Sequence, residues 1–200
     1  MKEYDYILSI DPSGSFHEGQ GTTGWVLGNK FEKVLDRGFI TAKNFSTPEE
    51  YWRAHNILIA SMADHYKDKL VVVMEDYLLY HDKAAAQINS RMETCRLIGV
   101  MQVFCWESGI DYVFQRAADV KKRWSNEVLE EVHILESFQT FYRLVEDGKK
   151  INRHEIDAMR HMIHYAHYKI KKPEPVATKK PKQMTFYNYR DKPWEGDKHE

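Results

Sequence analysis

Cysteine is scarce in this chain of 200 residues; there are two, Cys95 and Cys105. Their spacing is neither that of a CxxC metal or redox pair nor that of a disulfide framework, so reduced core thiols are expected. Long hydrophobic runs are missing as well. Nothing approaches the ~20 apolar residues that span a bilayer, which excludes a membrane helix. The start, Met1-Lys2-Glu3-Tyr4-Asp5, has none of the apolar character of a secretory signal. A cytoplasmic protein with no membrane partner is the expectation. Proline is rare outside the C-terminal stretch, where Pro173, Pro175, Pro181 and Pro193 account for four of the six. An excess of one charge is also lacking, with 29 Lys and Arg against 30 Asp and Glu. That balance hides an asymmetry. Residues 169–200 hold nine basic and five acidic side chains, leaving 20 against 25 in the remainder. An acidic body does not bind nucleic acid by overall charge. Contact with a polyanion would need locally clustered bases or bound metal ions.

What is present suits one globular domain with a real core, at 42% hydrophobic and 13% aromatic content. Residues 1–170 are expected to form it. Residues 171–200 read as a basic, proline-rich flexible tail. The apolar run Ile7, Leu8, Ile10 is a strand that ends in Asp11, followed by a stretch rich in Ser and Gly. A carboxylate ending a buried strand is costly unless water, a metal or a cation meets it. An Asp-Pro-Ser-Gly turn closing a hairpin explains it equally well on this stretch alone. Thr22–Gly28 and Lys33–Lys43 complete an antiparallel meander. Thr47, Pro48 and Glu50 open a helix running to about Tyr66. KLVVVMED, residues 69–76, is a strand buried on both faces. A long helix over about Lys83 to Glu107 and a fifth strand, IDYVFQ at 110–115, then make parallel crossover units. A short helix carries Lys121, Lys122 and Arg123, a further helix is expected over about Glu127–Glu146, and a last one opens at Asn152 with Glu155 closing a capping box.

Three places carry candidate chemistry: Asp11 and Glu75 at strand ends, and His154 with Asp157 in the first turns of the last helix. If the first and fourth strands are adjacent and parallel, the two carboxylates lie about one strand spacing apart, roughly 5 Å. Two bare carboxylates ~4 Å apart repel by roughly 4 kcal/mol at an effective dielectric of 20. A positive charge is needed between them. At about 100° per residue, Asp157, His161 and His164 all fall within about 80° of His154, away from Ile156, Met159 and Ile163. The plain alternative is helix-start chemistry, since Asp suits a first turn through the dipole. Glu155 is the poorer ligand because capping occupies it. Asp11, Glu75 and Asp157 with one imidazole suit Mg²⁺ or Mn²⁺ rather than zinc. Two such ions could hold a phosphodiester and activate water, which is nuclease chemistry.

ILSIDPSG…TTGWVL, VVVMEDYLLY, the helix reaching RLIGVMQVF, FQRAADVKK and HEIDAMRHMIHYA resemble, in order, the motifs of the RuvC family of Holliday-junction resolvases. The divergent form is similar to those encoded by bacteriophages. The resemblance spans about residues 5–168. It implies an α/β ribonuclease-H-like fold, with a mixed five-stranded sheet of order 3-2-1-4-5 flanked by helices. It further implies a homodimer acting on branched DNA, an endonuclease activity, and metal ligation by Asp11, Glu75, His154 and Asp157. In a phage-encoded member the cytoplasm would be that of the bacterial host. The family's lysine after the fifth strand falls on Lys121, next to Lys122, where phosphate contacts are expected; a solvated helix face is the alternative. The family's junction-prying aromatic is displaced here: Leu78 falls near its position, with Tyr77 and Tyr80 beside it as candidate DNA contacts. The inserted SFHEGQG predicts a mobile loop beside the site. His161 and His164 read as a semi-exposed polar stripe. Two other readings stand beside junction resolution: a less selective nuclease for branched or flap DNA or for RNA processing, and an actin- or sugar-kinase-like phosphate binder.

Overall fold

The computed structural model describes residues 3–17, 19–77 and 92–170. Its centre is a five-stranded sheet of order β3-β2-β1-β4-β5. The strands are β1 (Tyr6–Asp11), β2 (Thr22–Asn29), β3 (Val34–Thr41), β4 (Leu70–Asp76) and β5 (Tyr112–Arg116). The first three form the expected antiparallel meander, and β1, β4 and β5 run parallel. Every apolar residue of β4 is buried because the sheet is covered on both faces. Val71 and Val73 face one core layer with Ile7, Ile156 and Met159. Leu70, Val72 and Met74 face the other with Leu8, Ile10, Tyr51 and Leu97. Strand alternation carries this assignment to the strand ends. Asp11 and Glu75 therefore point to the same face as Ile7 and Val73.

Two helices cover the second face: α1 (Pro48–Tyr66) and α2 (Glu93–Glu107). The Thr47/Glu50 capping box and Pro at the first helical position are both present in α1. The expected helix from Lys83 is described only from Glu93 onward; residues 83–91 lie outside the described residues, as do Leu78, Tyr80 and the tail from 171. After β5 come α3 (Ala117–Arg123) and α4 (Asn126–Glu131). The helix expected over Glu127–Glu146 stops at Glu131. The chain then forms a second sheet of β6 (Leu135–Phe138), β7 (Phe141–Leu144) and β8 (Lys150–Ile151). The reason is the burial of single apolar residues at separated positions. Leu135, Leu144 and Ile151 are buried together in one core layer, while Glu136 and Ser137 stay exposed. His133 and Gln139 also adopt left-handed backbone, with φ of 56° and 53°, which a continuous helix forbids.

The small sheet runs directly into α5 (Arg153–Tyr165), the helix that covers the first face. Its start is fixed from three sides. Asn152 and Glu155 form the expected capping box. Arg37 on β3 donates to Glu155 Oε1 at 2.9 Å and to the Lys150 carbonyl at 3.2 Å. Gly24 on β2 lies so close that a Cβ there would stand 2.1 Å from the His154 carbonyl carbon. Gly24 is also the cross-strand partner of Asp11. Its missing side chain is what brings the start of α5 down onto the end of β1.

Among the described residues, no helix is long and apolar enough to cross a membrane. Cys95 and Cys105 are both free thiols, and burial pushes the Cys105 thiol up to about 12.

Candidate active site

The carboxyl ends of β1 and β4 and the first turns of α5 meet at one edge of the sheet. Asp11 Oδ2 pairs with His154 Nδ1 at 3.0 Å. Glu75 lies near enough to Asp11 for their charges to interact, and its Oε2 lies 3.0 Å from His161 Nε2. Asp157 is buried and forms ion pairs with Arg160, three residues on, and with Lys121 Nζ at 3.2 Å. Lys121 also reaches Glu75 Oε2 at 3.6 Å. All four acid and histidine candidates, Asp11, Glu75, His154 and Asp157, thus belong to one cluster, with Lys121 in it. Lys121 is partly exposed and its ammonium is directed to Glu75 and Asp157.

The protonation balance reflects burial and crowding. Burial raises the Asp11 carboxyl above its ordinary value; the His154 hydrogen bond opposes this, and the charges of Glu75 and Asp157 add to it. Burial acts on Glu75 the same way, but His161 and Lys121 outweigh it and hold Glu75 below the usual range. The Lys121 ammonium pays for burial yet is held above its ordinary value by Asp157 and Glu75. In this pair Glu75 is the ionised partner and Asp11 the one that keeps a proton longer.

A divalent cation fits the chemistry of this donor set: one imidazole and three carboxylates, of which Asp11 has its ionisation opposed chiefly by burial. The arrangement is that of an ion-pair network, with Lys121 as the resident cation. Among the described residues no three His, Cys, Asp or Glu side chains converge closely enough to chelate an ion.

The other expected contacts are spread out. Lys122 is exposed on a different side of α3, in a cavity of about 760 Å³ with Arg116, Arg123, His164 and Tyr168. Tyr77 is half-buried against the layer that contains Leu8 and Met74. The polar stripe expected of His161 and His164 does not form. His161 is fully buried between Glu75 and Gln115. His164 is half-buried, and burial, reinforced by the positive charges of Arg123 and Lys169, pushes its pKa down to about 4.

The chain just before the inserted SFHEGQG is tied down. The Ser13 amide donates to Thr23 Oγ1, the Gly14 amide to Thr94 Oγ1, and Tyr51 Oη to the Ser13 carbonyl at 2.6 Å. A Cβ at Gly14 would lie 2.2 Å from the Glu93 backbone, so the loop sits directly on the start of α2. The turn and the strand-end carboxylate are both real.

Sequence reasoning missed Gln115, Arg160 and Asn126. Gln115 is level with Glu75 across β4 and β5 and points inward, like Val113. A polar residue on the buried face of a strand was its signal. Arg160 follows Asp157 at i+3, the ion-pair spacing of a helix. Its second guanidinium nitrogen donates to Asn126 Oδ1 at the start of α4; that contact has no local signature.

No family model matches the chain, and neither does any curated protein. Among solved structures it is similar to Thermus thermophilus RuvC in complex with a Holliday junction substrate. That match has 13% identity and a TM-score of 0.57, covering 82% of this chain and 93% of the other. The fold is RuvC-like. A second Thermus thermophilus RuvC structure aligns with 14% identity and a TM-score of 0.49, over 80% of this chain and 93% of that one. The RuvC-like sheet has the 3-2-1-4-5 order that the motif resemblance implied.

Proposed function

We propose that the chain is a metal-dependent endonuclease that cuts branched DNA, four-way junctions in particular. The observation that carries this reading is the convergence of Asp11, Glu75 and Asp157 at the carboxyl edge of the sheet, with His154 and Lys121 among them. Three acids from β1, β4 and α5 gather at the sheet edge where ligand sites of open α/β sheets lie, which favours a functional site. The similar fold of a RuvC solved with a Holliday junction supports four-way DNA as the substrate class.

Asp11, Glu75, Asp157 and His154 would hold Mg²⁺ or Mn²⁺, as two ions if the site follows two-metal chemistry. When bound, such ions activate water and stabilise the departing oxygen of a phosphodiester. The chain's own residues do the rest. His154 reaches Asp11 through Nδ1 and is more than a third exposed. With a cation on Glu75 and Asp157, Lys121 would be available to the phosphate. Arg160 keeps Asp157 oriented from its far side. Arg116, Lys122 and Arg123 give the acidic body the local cluster of bases that polyanion binding needs.

A homodimer belongs to this reading, because paired cuts in a four-way junction call for two sites. Val103 and Trp106 on α2 are 52% and 73% exposed, and Phe114 on the edge strand is exposed as well. These exposed apolar side chains are candidates for the contact with a second copy. The described residues hold one such five-stranded sheet, which lends nothing to the two-domain phosphate-binder reading.

The test is cleavage of a synthetic four-way junction with Mg²⁺ or Mn²⁺. Asp11→Asn, Glu75→Gln and Asp157→Asn should each abolish cleavage while junction binding survives, since each removes metal-binding charge and leaves the bases. Full cleavage by any of the three sinks the assignment. Equal binding of linear duplex and junction would favour the less selective nuclease.

A further inference from the structure

His161 is the most deeply buried ionisable side chain at the site, at 0% exposure, and metal ligation does not account for it. Its ring is held at both nitrogens: Nε2 is 3.0 Å from Glu75 Oε2, and Nδ1 is 2.9 Å from Gln115 Oε1. As placed, both partners are acceptors, which would demand a doubly protonated ring. The Gln115 amide nitrogen, meanwhile, is buried and has no hydrogen-bond partner. Turning the amide over exchanges two atoms of nearly equal size. The Gln115 NH₂ then donates to Nδ1, and the neutral ring donates from Nε2–H to Glu75. The atom left unpaired becomes a carbonyl oxygen, a less costly orphan than an N–H. The tautomer of an imidazole is set by the bond its other nitrogen makes.

We propose that His161 is a positioning residue for Glu75, locked by Gln115 in the neutral Nε2–H tautomer. It holds Oε2, the oxygen that also meets Lys121, and so leaves the other carboxylate oxygen of Glu75 for the cation. Residues that orient a ligand in this way typically contribute 10–100-fold to metal affinity. The proposal rests on the metal-dependent reading for its consequence, though its hydrogen-bond geometry stands apart from it.

Two measurements on the full chain test it. In ¹⁵N-resolved NMR of the metal-free protein at neutral pH, the His161 ring should show a protonated Nε2 and a bare Nδ1. Gln115→Leu, which keeps the volume and removes the amide, should lose that single pattern. A doubly protonated ring, a protonated Nδ1, or an unchanged pattern in Gln115→Leu overturns the tautomer lock. The second measurement is Mn²⁺ binding without DNA, read by loss of the free-ion EPR signal. His161→Leu should weaken binding by about 10–100-fold, and His161→Gln, whose amide can donate to Glu75, should recover much of it. His161→Leu binding Mn²⁺ as tightly as wild type overturns the positioning role. If His161→Leu does not fold, Gln115→Leu takes its place and should weaken Mn²⁺ binding; unchanged affinity there counts against the proposal. Wild type that binds no Mn²⁺ removes the metal reading and with it the role of His161, while the NMR result still decides the tautomer.

Discussion

Gly24→Ala tests whether the approach of α5 to β2 builds the site. An added Cβ would stand 2.1 Å from the His154 carbonyl carbon and 2.2 Å from its oxygen, against ordinary contacts of at least 3.4 Å. Both atoms are helix backbone, so no side-chain rotation relieves the clash. The start of α5 must retreat by more than an ångström, or β2 must bend away from Asp11. Backbone strain adds nothing, because Gly24 sits in ordinary strand conformation, where Ala would otherwise be favoured by ~0.5–1 kcal/mol. Overpacking of this kind costs about 1–3 kcal/mol, which lowers Tm by roughly 2–12 °C for a domain of this size. The larger effect falls on geometry. His154 and Asp157 ride on the displaced turn, and a misplacement of ~1 Å can cost ~100-fold in rate. Thermal unfolding and junction cleavage on the same preparation read both. Gly24→Ala with wild-type Tm and wild-type cleavage would refute the claim that this contact sets the site. Wild-type Tm with lost cleavage would instead mean that the helix start yields cheaply and only the chemistry suffers.

Lys121→Gln removes the resident cation from Glu75 and Asp157. It should tighten Mn²⁺ binding in the absence of DNA by ~5-fold, taking the half-exposed ammonium contact as about 1 kcal/mol after screening, while cleavage falls; weaker Mn²⁺ binding would contradict it. His154→Ala should lose most Mn²⁺-supported cleavage. His154→Asp should keep activity, narrow the preference for Mn²⁺ over Mg²⁺ and extend activity to lower pH, because an oxygen ligand suits Mg²⁺ and needs no neutral imidazole. Cleavage by His154→Ala at the wild-type rate would remove His154 from the site. His55 is buried between the Tyr51 carbonyl and Thr23 Oγ1, and burial lowers its pKa from 6.5 to about 4. The neutral ring is the folded form, so its stabilisation is complete above pH 6.5 and is lost as pH falls through 4, about 3 kcal/mol in all. Urea titrations from pH 7 to 4 should show this slope in wild type and a flatter one in His55→Gln.

Local chemistry was enough to read much of this protein. β1 and β4 announce themselves as apolar runs broken by a terminal acid, and the capping boxes at Thr47 and Asn152 start α1 and α5 where the structure has them. The arc shared by His154, Asp157 and His161 is fixed by helical period alone, as is the inward face shared by Asp11 and Glu75 by strand period. The segment after Glu131 was misread because its charged and apolar residues satisfy a helical pattern about as well as a strand pattern. Only burial of Leu135, Leu144 and Ile151 in the core layer shared with α5 decides for strands. Which neighbour each polar group meets was a tertiary matter. Lys121 sits between Glu75 and Asp157, and His161 between Glu75 and Gln115, because three strands and two helices end at one edge. Those partners are 36 to 86 residues apart, and no local period links them. The sequence determined which residues are able to do chemistry and which face they take; packing determined their partners, since charge and hydrogen bonding act across space and not along the chain.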